Sequence, residues 1–269
     1  MKKLLLILLL VSLSFIGCKK RTTDVVTIKT IYGNIQIELY NSTPQHKANF
    51  INLVNAKFYN GLIFHRVIKG FMIQGGDPTS REAALTTVVG SGNVSYTLQP
   101  EIRYPYAFHK RGVIGAARLN DAENPDHRSS GCQFYIVQGV KYSDEELDGF
   151  ELAQKKQYKE KRFKELQKSH QTEIDSLFKL KQWLSVDELK DRFVRRIEKE
   201  VQTTDSLYKI PVALREIYKT EGGIPYLDKE YTVFGEVISG MGVVDKIAAL
   251  PTDSNDRPNI NIIISAYLN

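Results

Sequence analysis

The chain has 269 residues, 42% of them hydrophobic and 25% charged, and a formal charge of +6 from 37 Lys and Arg against 31 Asp and Glu. That much apolar material buries a real core and excludes a disordered chain. Its two cysteines exclude a disulfide scaffold and a four-cysteine zinc site. The excess charge is local: residues 1–17 carry +2, the run Lys19, Lys20, Arg21 carries +3, residues 151–210 carry +4, and the rest sums to −3. The basicity therefore sits on appendages around a mildly acidic body, which argues against nucleic acid as a partner.

Lys2 and Lys3 precede an apolar run from Leu4 to Ile16, broken by Ser12 and Ser14. As a helix at about 1.5 Å per residue the run spans roughly 20 Å, short of the ~30 Å hydrocarbon core. The pattern is a secretory signal peptide rather than a membrane span. It ends in Phe15-Ile16-Gly17-Cys18, which resembles the bacterial lipobox. That resemblance implies a lipoprotein signal peptide over residues 1–17, acylation of Cys18, and a lipidated tether over residues 18–26. The expected location is the bacterial cell envelope, lipid-anchored and facing the periplasm, with the bilayer as a partner through Cys18. Cys132 then has no partner within the chain and is expected to be buried rather than reactive.

The mature chain opens with Ile28, Ile35, Ile37 and Leu39 around Gly33-Asn34, which reads as a β-hairpin between Thr27 and Tyr40. Thr43 is placed to cap a helix with Pro44 at its first position. Ala48, Ile51, Asn52 and Asn55 lie along one face of that helix, with Phe50, Leu53 and Val54 beside them. Short apolar runs follow at Ile63–Ile68, Phe71–Gln74, Gly112–Ala117, Phe134–Val137 and Tyr231–Val237. Glycines and prolines separate them, which predicts a sheet-rich barrel or sandwich.

Residues 151–210 differ in kind, holding 26 charged residues without a glycine or proline. Ser143 with Glu146, and Ser185 with Glu188, read as capping boxes. Phe163, Leu166, His170, Ile174, Leu177 and Leu184 fall at helical spacing, as do Val186, Leu189, Phe193, Ile197 and Val201. These predict an α-helical hairpin turning near Trp183-Leu184, then a short helix from Pro211 to Gly222-Gly223. Positive and negative residues are interspersed along it, as on a solvated helix surface.

Walker, H-E-x-x-H, G-x-S-x-G and dinucleotide signatures are absent, and His46, His65, His109, His127 and His170 have no zinc-pair spacing. What stands out is Phe64-His65-Arg66-Val67-Ile68-Lys69-Gly70-Phe71-Met72-Ile73-Gln74-Gly75-Gly76-Asp77. With it go Gly112–Arg118, Ser130–Val137 and Leu227–Val237, in that order. The blocks closely resemble those of cyclophilins, the peptidyl-prolyl cis–trans isomerases.

The resemblance implies a mainly β fold, a closed antiparallel eight-stranded barrel capped by helices. The barrel would be built from residues 27–143 and 220–269, with an inserted helical hairpin over residues 144–219. It implies Arg66, Gln74 and Phe71 as catalytic residues: Arg66 donates to the prolyl nitrogen, Gln74 positions it, and Phe71 lines the proline pocket. Met72, Tyr135 and Leu227 would complete that pocket, Ala117 and Gln133 would border the peptide groove, and Tyr231 would occupy its rim. It implies neither metal nor organic cofactor, a monomer, and proline-containing unfolded or flexible polypeptides as substrates.

Four positions depart from the family pattern, among them Cys132, which replaces the usual serine and is expected only to pack. Tyr135 replaces a phenylalanine and brings a hydroxyl that needs a partner, Arg118 replaces an asparagine, and Tyr226 stands at an aromatic position beside the pocket. The expected function is peptidyl-prolyl isomerisation of exported polypeptides with no covalent intermediate. The alternative is a non-catalytic proline-peptide binding module, or a holdase-like chaperone that uses the helical insertion.

Overall fold

The computed structural model describes residues 24–269. The leader, Cys18 and the Lys19–Arg21 run lie outside the described residues. Strands β1 (Val25–Thr30) and β2 (Gly33–Leu39) form the first hairpin. Its turn is Ile31-Tyr32, two residues before the predicted position, because Thr30 pairs directly with Gly33. The Thr30 hydroxyl closes the turn by accepting from the Tyr32 N–H and donating to the Gly33 carbonyl.

Helix α1 (Pro44–Asn55) follows and buries the stripe His46, Phe50, Val54. Thr43 precedes it, but its side chain makes no capping bond. The N–H groups of Gln45 and His46, which have no partner within the helix, are taken instead by the Glu101 carboxylate, at 3.2 and 3.0 Å. A carboxylate satisfies such orphan donors more strongly than a hydroxyl does.

The strands continue as β3 (Phe64–Ile68), β4 (Met72–Gly75), β5 (Thr97–Leu98), β6 (Val113–Ala116), β7 (Ser129–Ser130) and β8 (Phe134–Val137). The helical region then comprises α2 (Asp144–Ser169), α3 (Gln171–Lys179), α4 (Trp183–Thr203), α5 (Asp205–Tyr208) and α6 (Val212–Thr220). The chain returns through a 3₁₀ turn at Pro225–Leu227 to β9 (Val233–Ser239), α7 (Met241–Ala248) and β10 (Ser265–Leu268).

Eight strands form one antiparallel sheet in the order β10-β1-β2-β9-β6-β8-β4-β3, and β5 pairs with β7 apart from it. The mainly β, eight-stranded, helix-capped reading holds, but the barrel is not fully closed. No ladder joins β3 to β10, so the sheet is a half-barrel. At the seam the start of β3 meets the segment before β10 through two backbone bonds, from the Phe64 N–H to the Ile262 carbonyl and from the Ile264 N–H to the Leu62 carbonyl. The concave face is packed by Phe50, Tyr59, Phe64, Phe134 and Phe234, whose rings meet at 5.1–6.2 Å, many of them edge to face.

The helical region has a core of its own, formed by Leu166, Ile174, Leu189, Phe193, Ile197 and Val201. The Ser143–Glu146 capping box is present with both reciprocal bonds. The second predicted box is not used: α4 starts two residues earlier, at Trp183, so Ser185 lies inside it. The hairpin therefore turns over Leu180–Gln182, and its first arm breaks at His170 between α2 and α3. A smaller cluster of Phe108, Leu147, Ile210, Leu214 and Tyr218 joins helices to sheet. The two ends of the region return together, with the Tyr142 N–H bonded to the Tyr218 carbonyl and the Gly223 N–H to the Val140 carbonyl. No helix of the described residues is long and apolar enough to cross a membrane.

Candidate active site

One row across four strands lays out the site. Arg66 on β3 faces Gln74 on β4, Gln74 faces Tyr135 on β8, and Tyr135 faces Gly115 on β6. A bulge between Phe64 and Arg66 leaves His65 as the extra residue of β3, and such bulges re-aim side chains. A Cβ on Gly115 would fall 2.3 Å from the Tyr135 ring, so only glycine allows that ring to lie across the sheet.

Over this row opens a cavity of about 160 Å³ lined by Arg66, Phe71, Met72, Gln74, Ala117, Arg118, Tyr135, Leu227 and Tyr231. That is well below the roughly 300–1,000 Å³ of cofactor-sized pockets, and leaves room for one small ring. The structure thus brings together eight of the nine residues assigned to catalysis and substrate binding. Gln133 lies behind the cup instead of in it. Its side-chain NH₂ donates to the Gly90 and Gly92 carbonyls at 2.9 and 2.6 Å, and its oxygen accepts from Gln74 at 2.9 Å.

Arg66 is oriented by Asp256, whose Oδ2 accepts from its Nε at 3.2 Å. Both side chains are about two-fifths exposed, at 44% and 41%, so the pair adds little stability. Its effect is directional: it holds the Nε edge of the guanidinium while Arg66 lines the cup. Phe71 stacks on Tyr226 at 6.0 Å, and Arg118 lies over the Tyr231 ring at 4.5 Å. Arg118 also donates to Asp121 at 2.6 Å and Glu230 at 3.1 Å. Asp121, His127 and Glu230 bring ligand-type atoms within 4.8 Å of one another, but that guanidinium already occupies their negative charge.

The Tyr135 hydroxyl has its partner. It lies 2.8 Å from His109 Nε2, and His109 Nδ1 lies 3.0 Å from Asp228 Oδ1. Asp228 also accepts from the His109 backbone N–H at 2.8 Å and from the Tyr218 hydroxyl at 2.5 Å. All four residues are buried. A neutral His109 protonated on Nδ1 satisfies every group: Tyr135 donates to it and it donates to Asp228. Burial pushes the Tyr135 phenol well above its ordinary pKa, so it remains a protonated wall and not a nucleophile.

His109, Asp228, Tyr218 and Asp256 were not assigned site roles from sequence. Only Asp228 lies in a recognised block, and no spacing links the four. Cys132 is buried with its thiol pushed up by that burial.

His65 sits beside Arg66 with neither ring nitrogen bonded among the described residues. Burial first, then the Arg66 and Arg257 charges, push its pKa down to about 4 against a partly opposing Asp77. Burial would raise the Asp77 carboxyl, but donors from Thr79 and Gly90 hold it below the usual range. Together these fasten the signature loop to the 88–93 segment.

Residues 25–173 and 217–268 match the model of the cyclophilin type peptidyl-prolyl cis-trans isomerase family, and the chain belongs to that family.

It is similar to a putative bifunctional phosphatase/peptidyl-prolyl cis-trans isomerase of Streptococcus pyogenes, 27% identical over 251 residues, covering 91% of this chain and 38% of that protein. It is also similar to a peptidyl-prolyl cis-trans isomerase of Helicobacter pylori, 38% identical over 115 residues, or 42% of this chain and 62% of that one. The chain thus spans less than two thirds of both. A putative peptidyl-prolyl cis-trans isomerase of Staphylococcus epidermidis matches at 24% identity over 90% of this chain and 89% of its own. In fold, the chain resembles a Cryptosporidium parvum cyclophilin at 20% identity and a TM-score of 0.52, over 92% of this chain and 98% of that one.

The low pKa of His65 gives a pH signature. The unfolded imidazole takes its proton near 6.5 and the folded one near 4, so the stabilisation is whole above the first value and is lost as pH falls through the second. The urea midpoint should fall across that window, and His65→Gln should flatten part of the slope.

Proposed function

We propose that this protein accelerates cis–trans rotation about Xaa–Pro bonds in exported polypeptides. The observation that carries this reading is the convergence of Arg66, Phe71, Met72, Gln74, Tyr135, Leu227 and Tyr231 on one cup of about 160 Å³. The bond's barrier is about 18–20 kcal/mol, set by amide resonance, and uncatalysed rotation takes tens to hundreds of seconds. No bond breaks, so the protein must only hold the twisted amide better than the planar one.

Phe71, Met72 and Leu227 hold the proline ring against the Tyr135 face. As the amide twists, its nitrogen gains lone-pair character, and a terminal N–H of Arg66 donates to it. That bond is stronger in the transition state than in the ground state, which is the condition for faster turnover. The guanidinium suits this because it stays charged and its fork is rigid. Gln74, fixed through Gln133, keeps Arg66 in place and meets the carbonyl of the residue before proline. Lowering the barrier by about 7 kcal/mol would give roughly 10⁵-fold acceleration. A Cryptosporidium parvum cyclophilin of the same fold has been solved in the presence of the dipeptide Ala-Pro, which supports proline peptides as substrates here. The leader and lipobox-like Gly17-Cys18 support a protein anchored by acylated Cys18 in the bacterial envelope, working on periplasmic chains as a monomer.

Arg66→Ala is expected to lower kcat/KM on an Xaa–Pro tetrapeptide by roughly tenfold or more, with the circular dichroism spectrum retained. Unchanged turnover would refute the donor role, and a wild type that binds the peptide without turnover would be a proline-binding module. Cys18→Ser should abolish incorporation of labelled palmitate and move the protein to the soluble fraction. Continued membrane association would refute the anchor.

A further inference from the structure

The cup does not end at Leu227 and Tyr231. A second depression of about 660 Å³ opens beyond them and shares Arg118, Leu227 and Tyr231 with the cup. Its near wall is the barrel rim, including Tyr226 and Glu230. Its far wall is helical, with Gln154, Gln157, Tyr158 and Lys161 from α2 and Leu207 and Tyr208 from α5. The groove therefore exists only because the helical region stands beside the proline site.

Its walls are held in a set relation to the cup. The Lys229 ammonium reaches across to the Leu207 carbonyl at 2.5 Å from a backbone held at φ 68. The Tyr218 hydroxyl ties α6 to Asp228, one residue from Leu227. Buried Glu151 on α2 receives Arg215, Lys209 and the Ile210 N–H at 2.9–3.1 Å, locking α2 against the returning chain. The helical wall is thus part of the site's frame and needs no closing movement.

The chemistry of the lining selects the ligand. Gln154 and Gln157 carry carboxamides that make no side-chain hydrogen bond among the described residues, and each offers a donor and an acceptor, as a peptide unit requires. Leu207 is 64% exposed and Tyr226 48% exposed, both line the groove, and the Tyr158 and Tyr208 rings, packed at 5.7 Å, line it beside them. Arg118 pairs with Asp121 and Glu230, and with Lys161 and Lys229 on the lining it is matched in equal number by these carboxylates and Asp228, so the groove does not demand a charged partner.

We infer that this groove binds the extended segment of a client polypeptide that flanks the isomerised bond. Its backbone amides meet Gln154 and Gln157, and an apolar or aromatic side chain rests on Leu207, Tyr208 and Tyr226. The inference rests on the isomerase reading and deepens it. It makes long, unfolded, apolar-rich chains the preferred substrates, with the groove contributing to their KM and not to the turnover of a short peptide.

The test is the double variant Leu207→Glu, Gln157→Ala in the full chain, with Leu152→Glu as the control. Leu152 is equally exposed on α2, at 69%, but outside the groove. Two substrates are compared: an Xaa–Pro tetrapeptide, and an unfolded protein whose refolding is limited by proline isomerisation. The tetrapeptide kcat/KM should stay within about twofold of wild type, while efficiency on the protein falls roughly fivefold or more through KM. The control should match wild type on both. Unchanged efficiency on the protein, or equal losses on both substrates, would overturn the inference. Wild-type inactivity on the tetrapeptide would instead sink the isomerase reading. The groove is then judged by anisotropy of a labelled, permanently unfolded chain, whose binding the double variant must weaken by roughly fivefold.

Discussion

The site hangs on one buried carboxylate. Asp228 takes a backbone N–H and a ring N–H from His109 and the hydroxyl of Tyr218, at 2.5–3.0 Å. An unpaired charge at that depth would cost several kcal/mol, so these donors are obligatory and the segments that carry them are brought to fixed places. Asp228 lies between Leu227 and Tyr231, so fixing it sets two walls of the cup. Through His109 it also fixes the Tyr135 hydroxyl, and with it the ring on which a proline would rest. Through Tyr218 it draws in α6, the returning end of the helical region.

This explains why a large helical region can sit beside the pocket without loosening it. The α2–α4 hairpin is stabilised by its own apolar core, so the barrel does not have to support it along its length. The two bodies meet through Phe108, Leu147, Ile210, Leu214 and Tyr218, with Tyr218 belonging to both that cluster and the Asp228 network. Packing sets the distance between the bodies, and hydrogen bonds set their orientation. The tyrosine at 135 belongs to the same arrangement: its hydroxyl completes the chain from α6 to the cup, where a phenylalanine would leave His109 Nε2 without a partner.

The strands and the cup-lining residues were legible in the sequence because local alternation and contiguous blocks carry them. Phe64–Asp77 alone places Arg66, Met72 and Gln74 on two adjacent strands and Phe71 in the turn that joins them. What could not be read are contacts between residues remote in the chain. Glu101 caps α1 across more than fifty positions, so Thr43 looked like the cap. Asp256 orients Arg66 from 190 residues away, and the His109–Asp228–Tyr218 linkage has no spacing signal. Ser185 satisfied a capping pattern inside a helix whose start was set by tertiary packing. Closure of the barrel was likewise invisible, since it depends on register at a seam between the chain's middle and its end.

The central claim is that a proline cup hung on Asp228 turns over Xaa–Pro bonds. The direct measurement is cis–trans exchange of a proline peptide, followed by NMR with substoichiometric protein, for wild type and Asp228→Asn. The wild type should produce exchange cross-peaks. The variant, equal in size but without the charge that orders Tyr218 and His109, should fold and give exchange slower by roughly several-fold, the effect of about 1 kcal/mol or more. Absence of exchange in the wild type, or equal exchange in the two proteins, would contradict the account.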